Sequence, residues 1–197
     1  MNAPTPIAVL ISGRGSNLQC LIDACASDNY PARIAAVISN RPDAYGLKRA
    51  KEAGIPAIAI DHKAYETRED FEDALDSALR EAGAEFVCLA GFMRILTAGF
   101  VNRWDGRMIN IHPSLLPKFK GVDTHARAIA AGESEHGCTV HWVTPGMDEG
   151  PVIAQARVPV LEGDTPETLA ARVLVEEHRL YPEALKMALN DTASVLR

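Results

Sequence analysis

The chain has 197 residues, enough for one ordinary domain that folds without a disulfide or metal staple. Hydrophobic residues make up 47%, charged residues 23%, and the net charge is −6, which excludes whole-chain disorder, coiled coil and a general basic nucleic-acid surface. No apolar run is long enough to span a bilayer, and MNAPTP at the start is not of signal type, so the expected setting is cytoplasmic.

Residues 1–6 read as a flexible leader. Residues 7–11 (IAVLI) form a first strand that ends in Ser12-Gly13-Arg14-Gly15-Ser16-Asn17. Leu18, Leu21, Ile22 and Cys25 then repeat at helical spacing. Residues 33–39 are a second strand. A short helix through Leu47, Ala50 and Ala53 stops at Gly54. Residues 57–60 are a third strand. Thr67 caps a helix with Asp70 at N3, and Phe71, Leu75, Leu79 and Ala82 are its buried stripe. Residues 86–90 and 107–111 are the fourth and fifth strands.

Strands apolar throughout and alternating with helices imply parallel crossovers in a sheet covered on both faces. Residues 138–143 instead alternate with period two, and residues 152–160 are another strand; both read as antiparallel edge additions. Thr165 caps a long last helix with Pro166 at N1. The expected architecture is one α/β domain over residues 1–197: a mostly parallel twisted sheet, a Rossmann-like N-terminal half, antiparallel edge strands and a long C-terminal helix. Cys20, Cys25, Cys88 and Cys138 contain no CxxC pair and read as small buried hydrophobes in a reducing compartment.

Several residues break their local pattern. Gly13 and Gly15 allow positive φ and close approach after the first strand, and Ser16 and Asn17 open a helix whose N–H groups attract anions. A phosphate site and a plain tight turn with a Ser cap both fit; Leu18 stands where a dinucleotide fingerprint needs its third glycine. Pro113 forces His112 to be extended, so Asn110 and His112 project from one side of the strand end. Together they offer an oxyanion donor and a mobile proton, or are a turn residue and a satisfied histidine. Residues 146–151 are an acidic glycine-rich loop between two strands, whose usual reading is a solvated turn. Glu177 falls inside the apolar stripe of the last helix (Leu169, Val173, Leu180, Tyr181, Ala184, Ala188), so it is paired, faces a polar cleft or snorkels to water. Arg68 opposes the dipole of its helix, which a surface Arg tolerates at little cost.

Residues 11–19 (ISGRGSNLQ), 89–96 (LAGFMRIL) and 110–117 (NIHPSLLP) together resemble the phosphoribosylglycinamide formyltransferases, the folate-dependent glycinamide ribonucleotide transformylases of purine synthesis. The resemblance runs from about residue 7 to 182. It departs in the leader and in a short tail after Pro182, and residues 144–147 are not matched to it. It implies a nucleotide-binding half over about residues 7–105 and a folate-binding, catalytic half over about 106–190. Gly15, Ser16, Asn17 and Glu177 would hold the ribonucleotide. Arg68, Met93, Arg94, Ile95, Leu96, Asn110, Val143, Thr144 and Asp148 would hold 10-formyltetrahydrofolate, the formyl donor. Asn110, His112 and Asp148 would be catalytic, without a metal. The implied partners are these two small molecules, with no nucleic acid and no membrane, in a monomer or homodimer.

A 10-formyltetrahydrofolate hydrolase is the nearest alternative, but would place a regulatory domain ahead of the first strand. A methionyl-tRNA formyltransferase would add a basic RNA-binding domain. A metal hydrolase built on His112, His125, His136 or His141 matches no ligand spacing. A nucleotide sensor leaves Asn110, His112 and Asp148 without a joint purpose.

Overall fold

The computed structural model describes residues 3–195. Seven strands form one sheet: β1 (Thr5–Ile11), β2 (Ala32–Ser39), β3 (Ala57–Ala59), β4 (Phe86–Leu89), β5 (Met108–His112), β6 (Glu135–Trp142) and β7 (Val152–Pro159). Their order is β3-β2-β1-β4-β5-β6-β7. The first five pair in parallel, while β6 and β7 add antiparallel at the far edge. This is the expected α/β architecture. The strand order reverses between β1 and β4, and open sheets of this kind bind ligands at the carboxyl ends of the strands beside such a switch point.

Helices α1 (Ser16–Cys25), α2 (Tyr45–Glu52) and α6 (Pro166–Val195) cover one face, and α3 (Arg68–Glu81) and α4 (Ala98–Arg103) the other. Alternate strand residues feed the two layers. Ile7, Val9 and Ile11 pack towards α1 and α6, whereas Ala8 and Leu10 pack towards α3 and α4. Helix α5 (Thr124–Ala130) flanks a third cluster in which Cys138 and Val158 meet Leu169 and Val173 of α6.

The caps follow the sequence. Thr67 accepts from the Asp70 N–H at 3.0 Å, and the Thr168 N–H reaches the Thr165 hydroxyl at 3.3 Å. Gly54 adopts φ +71° after α2. All four cysteines are unpaired; Cys88 and Cys138 are buried as expected, Cys20 and Cys25 only half-buried, and burial pushes the thiols of Cys20, Cys25 and Cys138 up to about 12.

The leader needs correction. Thr5 and Pro6 belong to β1, because the Thr5 N–H donates to the Pro31 carbonyl at 2.9 Å and Glu85 N–H to that of Pro6 at 2.8 Å. Backbone pairing recruits them, not apolarity; Met1 and Asn2 lie outside the described residues. Helices α4 and α5 have 6 and 7 residues, too short for a helical period to emerge from sequence. Strand β6 begins at Glu135 rather than Cys138, since Gly137 interrupts the alternation with no side chain to read.

Candidate active site

Three strand ends lie side by side at the switch point: the turn after β1, the loop after β4 and the end of β5. In the first, Gly15 caps α1 in the left-handed region at φ +72°. Its missing Cβ would lie 2.8 Å from the Gly46 Cα, so only glycine lets the turn pack on α2. Gly13, expected to use the same freedom, does not adopt a positive φ. Among the described residues, no side chain caps α1 and no acid stands in its first turn, which leaves its opening N–H groups to an anion.

Glu177 arrives from α6 beside that helix start. It is 6% exposed, and the Asn17 amide donates to Oε2 at 2.8 Å. The stripe-breaking carboxylate is therefore paired and does not snorkel to water. Burial raises its pKa and the Asn17 hydrogen bond opposes the shift. Asn17 Oδ1 is itself buried with no protein partner, an acceptor open to a ligand hydroxyl or amine.

Asn110 and His112 project from one side of β5, as the period-two argument requires, while Ile109 and Ile111 enter the opposite core layer. Asp148, at φ +52°, reaches over them. Its Oδ2 lies 3.4 Å from His112 Nδ1 and accepts from the Gly121 N–H at 2.9 Å. His112 Nε2 lies 2.9 Å from the Phe119 carbonyl. Both ring nitrogens thus face acceptors: the imidazolium can donate to both, a neutral ring to only one. The non-glycine residues with positive φ among those described are Phe119, Asp123 and Asp148, all in the two loops joined by the Gly121–Asp148 bond. Backbone strain of this kind gathers at functional sites.

The loop after β4 is tied down by Ser12, 4% exposed. Its N–H donates to the Gly91 carbonyl at 3.1 Å, its hydroxyl donates to Asn40 Oδ1 at 2.5 Å, and the Met93 N–H donates to that hydroxyl at 2.8 Å. Beyond it, Met93 and Ile95 stand 71% and 61% exposed while Leu96 is buried. Two apolar side chains held outwards by an anchored backbone suit a flat heterocycle. The Arg94 guanidinium sits 5.3 Å from the Phe71 ring, placing this loop beside the first turns of α3, where Arg68 is exposed at the helix start. Val143 and Thr144 are half-buried just past β6, with the Val143 N–H on the Met108 carbonyl at 2.9 Å. Residues assigned to either ligand come from both halves of the chain, which share one sheet.

A family model described as formyl transferase matches residues 5–185. The chain belongs to that family. The phosphoribosylglycinamide formyltransferase of Haemophilus influenzae is 48% identical over 180 residues, 91% of this chain and 85% of its own length. The human trifunctional purine biosynthetic protein adenosine-3 is 49% identical over 189 residues, 96% of this chain; the chain spans only 19% of that longer relative. The crystal structure of the Brucella melitensis phosphoribosylglycinamide formyltransferase superposes with a TM-score of 0.90 at 50% identity, covering 94% of this chain and 96% of that one.

Sequence reasoning missed a fourth polar group in this formyl transferase site. His141 lies opposite Asn110 in the β5–β6 register. Its Nδ1 lies 2.9 Å from the Trp142 carbonyl, so Nδ1 carries the proton and Nε2 accepts from Asn110 Nδ2 at 3.2 Å. Burial lowers its pKa, against the Trp142 carbonyl and Asp148, which keeps the ring neutral. The alternation around residue 141 was visible; its register against residue 110 was not.

Proposed function

We propose that this formyl transferase moves the formyl group of 10-formyltetrahydrofolate to the primary amine of 5-phosphoribosylglycinamide, a step of purine biosynthesis. The observation that carries this reading is the His112–Asp148 contact, 3.4 Å long, beside Asn110 at the end of β5. The turn at Gly15, Ser16 and Asn17 takes the phosphate, and Glu177 a hydroxyl or the amine of the same substrate. Met93, Arg94, Ile95, Leu96, Val143 and Thr144 receive the donor's ring system, with Arg68 towards its anionic end.

In the reaction the amine attacks the formyl carbon, and the carbonyl electrons move onto oxygen. Asn110 spends one amide hydrogen on His141 and keeps the other for this oxyanion. His112 supplies the second donor when the Phe119 carbonyl gives way to the reacting oxygen. The tetrahedral adduct loses a proton from the attacking nitrogen, gains one on the folate nitrogen, and collapses with cleavage of that carbon–nitrogen bond. Asp148 holds the imidazole in place and completes the proton path. The chemistry needs no enzyme nucleophile. The same reading makes the protein a cytoplasmic enzyme of small molecules, acting as a monomer or homodimer.

The test is consumption of 10-formyltetrahydrofolate with and without 5-phosphoribosylglycinamide. Turnover is expected only with the amine present. Equal turnover in its absence would assign a hydrolase instead.

A further inference from the structure

The anion turn is shaped from behind by α2. The Gly46 N–H donates to the Gly13 carbonyl at 3.0 Å, and the Gln19 N–H to the Gly15 carbonyl at 3.0 Å. Between them, Arg49 Nε donates to the Arg14 carbonyl at 2.9 Å. Three consecutive carbonyls are thus drawn onto protein donors. Carbonyl oxygens turned into the pocket would repel an anion, so this outward orientation leaves the N–H groups facing in.

Two of the three anchors are backbone donors that no side-chain change removes. The middle one depends on a single side chain. The Arg14 carbonyl and the Gly15 N–H also belong to one peptide unit, so rotation of that unit would withdraw the N–H and present an oxygen. Gly15 lowers the barrier to such a rotation because glycine samples both signs of φ. The Arg49 guanidinium is itself held, by Gln19 Oε1 at 3.2 Å and over the Tyr45 ring at 5.2 Å.

We propose that Arg49 is a positioning residue that locks the Arg14–Gly15 peptide in its anion-binding orientation. The proposal rests on the reading that the ribonucleotide phosphate binds this turn. It assigns the work to the Nε–H···O bond and not to the guanidinium charge.

Two substitutions separate these. Arg49→Met keeps the apolar stem and removes both donor and charge. Arg49→Gln places an amide nitrogen where Nε stood, keeping a donor without charge. Ribose 5-phosphate, titrated by calorimetry, is the probe, so that binding is read whether or not formyl transfer occurs. Arg49→Met is expected to weaken it on the order of tenfold, and Arg49→Gln to recover most of that loss. The KM for 10-formyltetrahydrofolate and the thermal midpoint should stay near wild type in both. A Gln variant as weak as the Met variant would assign the effect to charge and overturn the proposal. So would an equal rise in the folate KM, which marks general loosening. If Arg49→Met unfolds, a tenfold loss in Arg49→Gln alone overturns it. Wild-type protein that binds ribose 5-phosphate but transfers no formyl group would sink the functional reading and leave the brace standing.

Discussion

The Asn17 carboxamide and the Glu177 carboxylate, 160 residues apart in the chain, meet at 2.8 Å where α1 begins. The bond joins the first crossover helix to the last helix. It also explains how a carboxylate that is 6% exposed is tolerated inside an apolar stripe. Asn17 donates with Nδ2 and leaves Oδ1 unsatisfied, so the pair presents one anionic and one neutral acceptor to whatever enters.

Glu177→Gln keeps an acceptor for Asn17 but turns the proposed charge-assisted bond to substrate into a neutral one. The KM for 5-phosphoribosylglycinamide should rise by the equivalent of about 1–2 kcal/mol, with the folate KM unmoved. Steady-state kinetics in both substrates check this. An unchanged ribonucleotide KM would leave Glu177 a purely structural partner of Asn17.

Asn17→Ala removes the amide that carries both contacts. It should weaken ribonucleotide binding and leave folate binding nearly untouched. Calorimetry with each ligand decides; equal losses would count against the assignment.

His141 carries a separate expectation. Its Nε2 lone pair fixes which way the Asn110 amide hydrogens point. His141→Ala should cut kcat on the order of tenfold, a smaller loss than removing an oxyanion donor outright, with both KM values close to wild type. A change confined to KM would show that the imidazole shapes the pocket and does not aim Asn110.

Much of this was legible in the sequence. Continuous apolar runs at residues 7–11 and 86–90 announce strands buried on both faces, and Pro113 fixes the side on which Asn110 and His112 emerge. Local patterns of period two or 3.6 write such features directly. His141, Ser12 and Phe119 were not legible as parts of the site. Their positions depend on strand register, on which loops meet, and on a left-handed backbone at Phe119, none of which has a local signature. Glu177 lies between these cases: its misfit in the stripe was visible, but its partner was 160 residues away.

Stability should fall as acid is added, through His136. The ring is 1% exposed, and burial, reinforced by His125, lowers its pKa from 6.5 to about 4, with the Pro113 carbonyl opposing. Between those values the unfolded chain binds a proton that the folded one refuses, so stability present above pH 6.5 is lost progressively towards pH 4. Burial of His125 and His141 acts in the same direction, and the raised pKa of Glu177 in the opposite one. Urea midpoints should be lower at about pH 5 than at pH 7, and His136→Phe should flatten that difference. An equally steep dependence in the variant would assign it elsewhere.

The sharpest expectation concerns Asp148 and His112 acting together. They come from a loop and a strand end 36 positions apart, yet their side chains lie 3.4 Å from each other and share the loop around Phe119 and Gly121. Asp148→Asn keeps the shape and can still accept from the Gly121 N–H. It removes the negative charge facing Nδ1. Turnover should fall by about a hundredfold or more, while binding of both ligands stays near wild type. His112→Ala removes the other half of the proposed proton path. Groups that act as a unit lose their function only once, so the double variant should be little worse than the poorer single. Single-turnover rates of the four proteins, measured with both ligands saturating, close the cycle. If the two losses multiplied in full, each residue would contribute alone, and the shared path from the attacking amine to the departing folate nitrogen would be wrong.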